Sequence, residues 1–399
     1  MRKKRKTLVL IIITIFLSVS LTRVYDRLCL GSESGNLIRA KDIIVDNYVT
    51  ELTKEQITKM EDAAISAMVA SLNDPYSRYL NQEGFKNYEE DNEEEYVGVG
   101  ISVNFSAKDN FMVVTSPYEG APAQKAGILP GDKITAVDGV KVNAETYNGV
   151  IEHIRSGKVG DSVEFVLTRG EEELKIPVIL EKVIVETVTH KMFEESIGYI
   201  RISQFIEHTE ADFEKALNDL KQRGMKGLII DLRSNPGGYA HTVLSIADMV
   251  LPKGTIAYLE DNKGERMYFD SDAKCLDVPM TILINRGTAS ASELLAGSIK
   301  AYELGTVIGE KSFGKAVGQT PYPLIPSKTA IYLTNARYFT PKGECIDGVG
   351  IEPDIKVGLS DELLAKMPYL TLSEDAQLSK AIEVLKEDMA KNDGQRKKE

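Results

Sequence analysis

Residues 287–297 read GTASASELLAG, with Ser290 and Ser292 flanking Ala291 in a turn of small residues just ahead of helical spacing. A serine hydroxyl attacks a carbonyl only when a neighbouring group takes its proton. Histidine is the usual acceptor, but none of the four histidines (His153, His190, His208, His241) stands in a triad-like setting. Lysine is another base that suits. The segment VIGEKSFGKAVGQT places Lys315 in a glycine-bearing turn, with Gln319 four residues on. A lysine with the ordinary pKa of about 10.4 is neutral in roughly one molecule in two thousand at pH 7. To work as a base it must fall to ~7–8, about 4 kcal/mol of desolvation. A lysine packed against a buried sheet meets that demand. Lys311, flanked by Glu310 and Ser312, reads as exposed.

A second turn lies in LIIDLRSNPGGYAHTVLSIADMV, at Asn235-Pro236-Gly237-Gly238. Paired glycines let backbone N–H groups approach a ligand, and a helix start favours negative charge, as an oxyanion hole requires. The residues leave alternatives open. The same turn also makes an ordinary tight connection. Ser290 with Glu293 three residues on also fits a helix-capping box.

The elements that must position these turns are legible. Leu228–Leu232 (LIIDL) and Met280–Ile284 (MTILI) are near-continuous apolar runs, as in strands buried on both faces. Each is followed by a small-residue turn and helical spacing, an α/β alternation. Ile197–Phe205 reads as a further strand, and Phe213, Ala216, Leu217 and Leu220 mark an amphipathic helix. From Tyr96 to Val183 short β-like runs enclose APAQKAGILPGD, with a second helix at about 144–155. Residues from about 36 to 90 read helical, with Ile57, Met60, Ala64, Ala67 and Met68 on one face and a stop at Asn73-Asp74-Pro75. The run EEDNEEE reads as a solvated connector. Leu378, Ala381, Ile382 and Leu385 form a stripe on a last helix. These two stripes lie outside the β-rich and α/β segments and predict a homodimer.

A chain of 399 residues implies two or three domains. Its net charge of −12 argues against nucleic acid and against broad attraction to anionic lipid. Cys29, Cys275 and Cys345 are too few and scattered for a disulfide framework or a zinc cluster, though a Cys275–Cys345 bridge stays open. His, Asp and Glu show no ligand spacing, so no metal or cofactor is expected. The first 25 residues, MRKKRK followed by LVLIIITIFLSVSL, have the plan of an export signal or N-terminal anchor. The apolar run is short of the ~20 residues of a comfortable span and lacks a clean cleavage motif. With the basic residues held inside, the rest lies outside the cytoplasmic membrane and meets it only through this segment.

Four motifs occur in order: DLRSNPGG, GTASASE, GEKSFGKAVGQ and ARYFTPKGECIDGVGIEPDI. Together they resemble the carboxy-terminal processing (tail-specific) proteases, over the span from about Asn36 to Leu385. The resemblance implies an α+β multidomain fold. A PDZ domain (96–183) stands before a mixed α/β, ClpP/crotonase-like protease core (184–370), with a helical N-terminal region (36–90) and a C-terminal helix (371–392). It makes Ser290 the nucleophile, Lys315 the general base and Gln319 the group that orients the lysine. It implies an oxyanion hole from the N–H groups of Gly237 and Ala291. It also implies that Gly98, Val99, Gly100 and Ile101 hold a chain terminus while the peptide adds as a strand. Arg155 matches an arginine that couples peptide binding to opening of the site. Ala316 departs from the glycine that commonly follows the lysine. The expected function is an exported serine endopeptidase acting on proteins bound by their C-termini. A catalytically silent PDZ scaffold is the first rival, and the intact Ser290, Lys315 and Gln319 set speaks against it. A crotonase-type acyl-CoA enzyme is the second, and the export signal and PDZ segment speak against that.

Overall fold

A computed structural model describes residues 35–91, 95–106, 111–118, 120–129, 131–143, 145–272, 275–360, 363–364, 367 and 370–396. The export segment and Cys29 lie outside the described residues. Among those described, no helix is long and apolar enough to cross a membrane. The chain divides into two units, residues 1–81 and 82–399.

The first unit holds α1 (Gly35–Asn47), α2 (Lys54–Ala70) and β1 (Arg78–Leu80). A capping box starts α2: Thr53 Oγ1 accepts the Gln56 N–H at 3.3 Å, and Gln56 Oε1 accepts the Thr53 N–H at 2.9 Å. Past its end Asn73 takes a positive φ of 53°, in line with the predicted stop. Val69 and Leu80 are buried, but several apolar side chains of this unit face solvent: Met68 is 55% exposed, Val49 92%, and Leu37, Ile38 and Ile43 are exposed too.

The second unit begins with α3 (Gln82–Asp91). A β-rich part follows: β2 (Glu95–Gly98), β3 (Ile101–Ser106), β4 (Phe111–Pro117), α4 (Pro122–Lys125), β5 (Lys133–Val137), β6 (Val140–Lys141), α5 (Tyr147–Arg155), β7 (Ser162–Arg169), β8 (Glu172–Ile179) and β9 (Glu181–Ile184). Its antiparallel sheet runs β3-β4-β5-β7-β8, and β2 pairs with β9. Met112, Ile134, Phe165 and Leu167 alternate inward to form its core. Among the described residues β3 ends the order, so one of its edges carries no strand.

The α/β part comprises β10 (Val188–Phe193), β11 (Ile197–Ile202), α6 (Thr209–Gln222), β12 (Gly227–Asp231), α7 (Ala240–Val250), β13 (Gly254–Asp261), β14 (Arg266–Ser271), β15 (Met280–Ile284), α8 (Ala291–Ala301), β16 (Gly305–Gly309), β17 (Val317–Leu324), β18 (Thr329–Phe339), β19 (Ile355–Lys356) and α9 (Ala376–Arg396). The main sheet runs β10-β11-β12-β15-β16-β19, with β11 to β19 parallel and β10 antiparallel at its edge. Every residue of β12 and β15 is buried, as their apolar runs predict. Phe213 of α6, Val243 of α7 and Leu295 of α8 pack with Ile230 and Ile282 of the sheet. Leu378, Ala381 and Leu385 of α9 pack with Tyr199, Ile229, Leu283 and Ile308 in a second cluster. The C-terminal stripe is therefore core of its own subunit, which corrects its reading as a dimer surface. Burying each such leucine is worth about 1.5–3 kcal/mol. Strands β14, β13, β18 and β17 are joined in that order by antiparallel pairing.

Candidate active site

The turns singled out in the sequence lie at the carboxyl ends of β12 and β15, where they are stitched side by side. Asn235 is the knot. Its Nδ2 donates to Ile202 O at 3.0 Å, and its carbonyl accepts Ala289 N–H and Ser292 Oγ–H, each at 3.0 Å. Asn285 answers from the other turn, accepting the Ser234 N–H at 2.8 Å and the Gly287 N–H at 3.0 Å. Thr288 Oγ1 donates to Leu232 O at 2.8 Å.

This stitching brings Gly237 against Ser290. A Cβ at Gly237 would lie 2.9 Å from Ser290 Cβ and 3.0 Å from Ala291 N, and its φ is 103°. Only glycine fits there. Gly238 is needed for another reason, since a Cβ there would lie 2.0 Å from Phe205 O. The Gly237 N–H, one expected oxyanion donor, donates in this state to Asn235 Oδ1 at 2.9 Å. The other donor is differently placed. Ala291 opens α8, where an N–H has no acceptor within the helix.

Ser290 holds φ 56°, ψ −120°, a backbone that non-glycine residues seldom adopt. Such a strained strand-to-helix turn displays a nucleophile above a sheet. Ser292, 0% exposed and bonded to Asn235, is structural.

Lys315 is half-buried in the loop between β16 and β17. The carboxylate of Glu293, 0% exposed, joins that loop to the serine turn. Its Oε2 accepts the N–H of Ser290 at 2.9 Å and of Lys315 at 2.8 Å. Its Oε1 accepts Ser312 Oγ–H at 2.5 Å and the Gly314 N–H at 2.7 Å. Burial pushes this carboxyl above its ordinary value against the pull of those four donors. The predicted Ser290–Glu293 capping box is therefore present, and the glutamate reaches beyond it to the lysine loop. Tyr338 supplies a second bridge, its hydroxyl facing Ser290 O at 2.8 Å and Lys315 O at 2.7 Å. Ala316 is fully buried, its N–H on Asp347 Oδ1 at 3.1 Å, and its backbone avoids the left-handed region, so the extra methyl is accommodated. Gln319 Nε2 donates to Val317 O and Thr334 Oγ1, each at 3.3 Å.

Beneath the first turn, Arg233 binds Asp231 through Nε at 2.9 Å and Nη2 at 2.6 Å. It also binds Asp375 at 2.8 and 2.9 Å and Gln377 at 3.1 Å, both from the C-terminal segment. Burial alone would raise the Asp231 carboxyl, but Arg233, with help from Arg201, outweighs it and holds the carboxyl down at about 2.

The loop before β3 shows a parallel arrangement. A Cβ at Gly98 would lie 2.4 Å from the Tyr96 ring, and one at Gly100, whose φ is 65°, 2.4 Å from Ala121 Cβ. The Gly100 backbone and the charge of Arg155 both pull the Tyr96 phenol downward. Burial nevertheless pushes the Tyr96 phenol upward. Val99 is buried and Ile101 leads into the open edge of β3. Elsewhere, Cys275 and Cys345 are both free thiols. A cleft of about 1060 Å³ opens by Leu276, Lys300 and Ile351, and none of the expected catalytic residues lines it. Among the described residues no three His, Cys, Asp or Glu are grouped to hold a metal ion.

The α/β core with its displayed serine, preceded by a PDZ-type sheet, defines a serine-type peptidase. Residues 196–357 match the family model of Peptidase family S41, 99–180 that of the PDZ domain, and 29–84 that of the activating protease CtpB N-terminal domain. The chain belongs to this family, among the carboxy-terminal processing proteases. It is 35% identical over 355 residues to the carboxy-terminal-processing protease of Bartonella bacilliformis, covering 86% of this chain and 80% of that one. It is 34% identical to the carboxy-terminal processing protease CtpA of Bacillus subtilis, covering 85% and 72%. Among solved structures, the photosystem II D1 C-terminal processing protease superposes with a TM-score of 0.52 at 28% identity, covering 88% and 95%.

Proposed function

We propose that this protein is an exported endopeptidase that docks the C-terminus of a protein substrate on its PDZ domain and cleaves with a Ser290–Lys315 dyad. One observation carries the dyad: Glu293 and Tyr338 hold the backbones of Ser290 and Lys315 as a single unit, with Ser290 in a strained turn. Lys315, neutral and oriented by Gln319, takes the Ser290 proton as Oγ attacks the scissile carbonyl. The N–H groups of Ala291 and Gly237 receive the oxyanion, for which Gly237 leaves Asn235 Oδ1. The lysine ammonium then protonates the leaving amine, and water, deprotonated by the same lysine, hydrolyses the acyl-enzyme. Labelling of Ser290 by a fluorophosphonate tests this. An unlabelled, folded protein would refute it.

The basic and apolar start of the chain supports export. The open edge of β3 supports strand addition by a peptide, whose terminal carboxylate would meet the N–H groups of Val99, Gly100 and Ile101. The charge of Arg155 reaches the Tyr96 phenol beside this loop, so a carboxylate docked there would meet the same charge. A ligand that binds one arrangement better shifts the population toward it. Arg155→Ala is therefore expected to lower peptide-stimulated cleavage of an unstructured reporter about tenfold or more, with the melting transition unchanged. Equal stimulation in wild type and variant would remove the arginine from the coupling.

The exposed apolar faces of α1 and α2 support a homodimer. The expected result in sedimentation at micromolar concentration is a dimer, and a monomer there would refute it.

A further inference from the structure

We infer that Tyr338 is a positioning residue of the dyad, whose hydroxyl fixes the peptide unit between Ser290 and Ala291 relative to the backbone of the base. The inference rests on the Ser290–Lys315 assignment proposed above.

Tyr338 is 5% exposed on β18, and its own N–H donates to Ala316 O at 3.0 Å. Strand and base loop are thus already in register when the side chain turns toward the turn before α8. There a single phenol proton is shared between Ser290 O at 2.8 Å and Lys315 O at 2.7 Å. The pattern is complete when Glu293 is added. Nucleophile and base each have the N–H on Glu293 and the C=O on Tyr338. Two side chains hold all four backbone polar groups of the two reacting residues.

The consequence for chemistry follows from peptide planarity. In a trans peptide the C=O of Ser290 and the N–H of Ala291 point in opposite directions. Drawing the carbonyl toward Tyr338 therefore aims the N–H away from it. Gly237 lies close by, with its would-be Cβ 3.0 Å from that nitrogen. Ser290 O also accepts Glu293 N–H at 2.8 Å and Leu294 N–H at 3.0 Å, bonds that any helix start would provide. The bond from Tyr338 is different in kind. It couples this peptide plane to Lys315 through the carbonyl side, so the expected oxyanion donor and the base are held to one side chain. A misplacement of about 1 Å at such a site costs on the order of 10²-fold in rate. The packing of the ring does not depend on the oxygen.

The test uses the full chain and a reporter peptide. Tyr338→Phe is expected to lower kcat by at least about tenfold, keep KM within about twofold and retain a cooperative melt. Placing p-aminophenylalanine at position 338 restores N–H donors toward both carbonyls and is expected to recover most of kcat. A smaller fall in kcat, a loss carried by KM, the disappearance of the cooperative melt, or failure of the amino variant to rescue would each overturn the inference. Ser290→Ala runs alongside. Cleavage by that variant would overturn the dyad itself, whatever Tyr338 does.

Discussion

Ser290→Ala abolishes cleavage, lowering kcat/KM by roughly 10⁴-fold or more, and leaves the fold intact. The methyl group of alanine keeps the Cβ and meets the same backbone strain at φ 56°, so the variant loses only the hydroxyl. The bonds of residue 290 to Glu293 Oε2 and to the Tyr338 hydroxyl use its N–H and C=O, so they survive the exchange. Ser292→Ala has the opposite profile. Its hydroxyl is buried and donates to Asn235 O, so removal costs about 1–3 kcal/mol of stability. Activity stays within about tenfold of wild type. Reporter cleavage and thermal melts, run on both variants, separate the two roles. A dead but stable Ser292→Ala beside an active Ser290→Ala would reverse the assignment.

Lys315→Arg is the second large effect, a loss of about 10²–10⁴-fold. Arginine keeps the positive charge but does not give up its proton near neutral pH. The bonds of residue 315 to Glu293 and Tyr338 are made by its backbone, so they survive the exchange. The loss then reports on proton transfer rather than on loop position. The wild-type pH–rate profile carries the same signature. A base works deprotonated, so the rate rises with pH, through a limb near ~7–8 if the lysine is tuned for the task. Near-wild-type activity in the arginine variant would remove the lysine from catalysis. A rate that climbs only above about pH 10 would show an untuned lysine.

Much of this site is legible from local sequence because its scaffolding is local. LIIDL and MTILI declare buried strands by their apolar continuity, and the small-residue turns after them follow directly. The rest depends on sheet order, which no local pattern carries. Glu293 is visible as a partner of Ser290 three residues away, but its bonds to Gly314 and Lys315 form only once β15 and β16 lie side by side. Tyr338 lies 48 residues beyond Ser290, in a strand whose sequence gives no hint of its partner. Leu378, Ala381 and Leu385 misled for the same reason. An amphipathic stripe tells that a face is covered, not which surface covers it. At the PDZ loop, the glycines of VGVGI announce close backbone approach, and the close neighbours are the chain's own: the Tyr96 ring at Gly98 and Ala121 at Gly100.

The link from Arg233 to Asp375 and Gln377 also sets a timetable. The chain leaves the ribosome from its N-terminus, at roughly 5–20 residues per second. Asp375 follows Arg233 by 142 residues, a delay of roughly 7–30 seconds at those rates. Through that interval the arginine beneath the Asn235–Gly238 turn has Asp231 but none of its later partners. The segment matched to the PDZ domain, the turn that holds Ser290 and the loop that holds Lys315 have already been made. The anchor of the Asn235–Gly238 turn is thus among the last parts of the chain to be put in place.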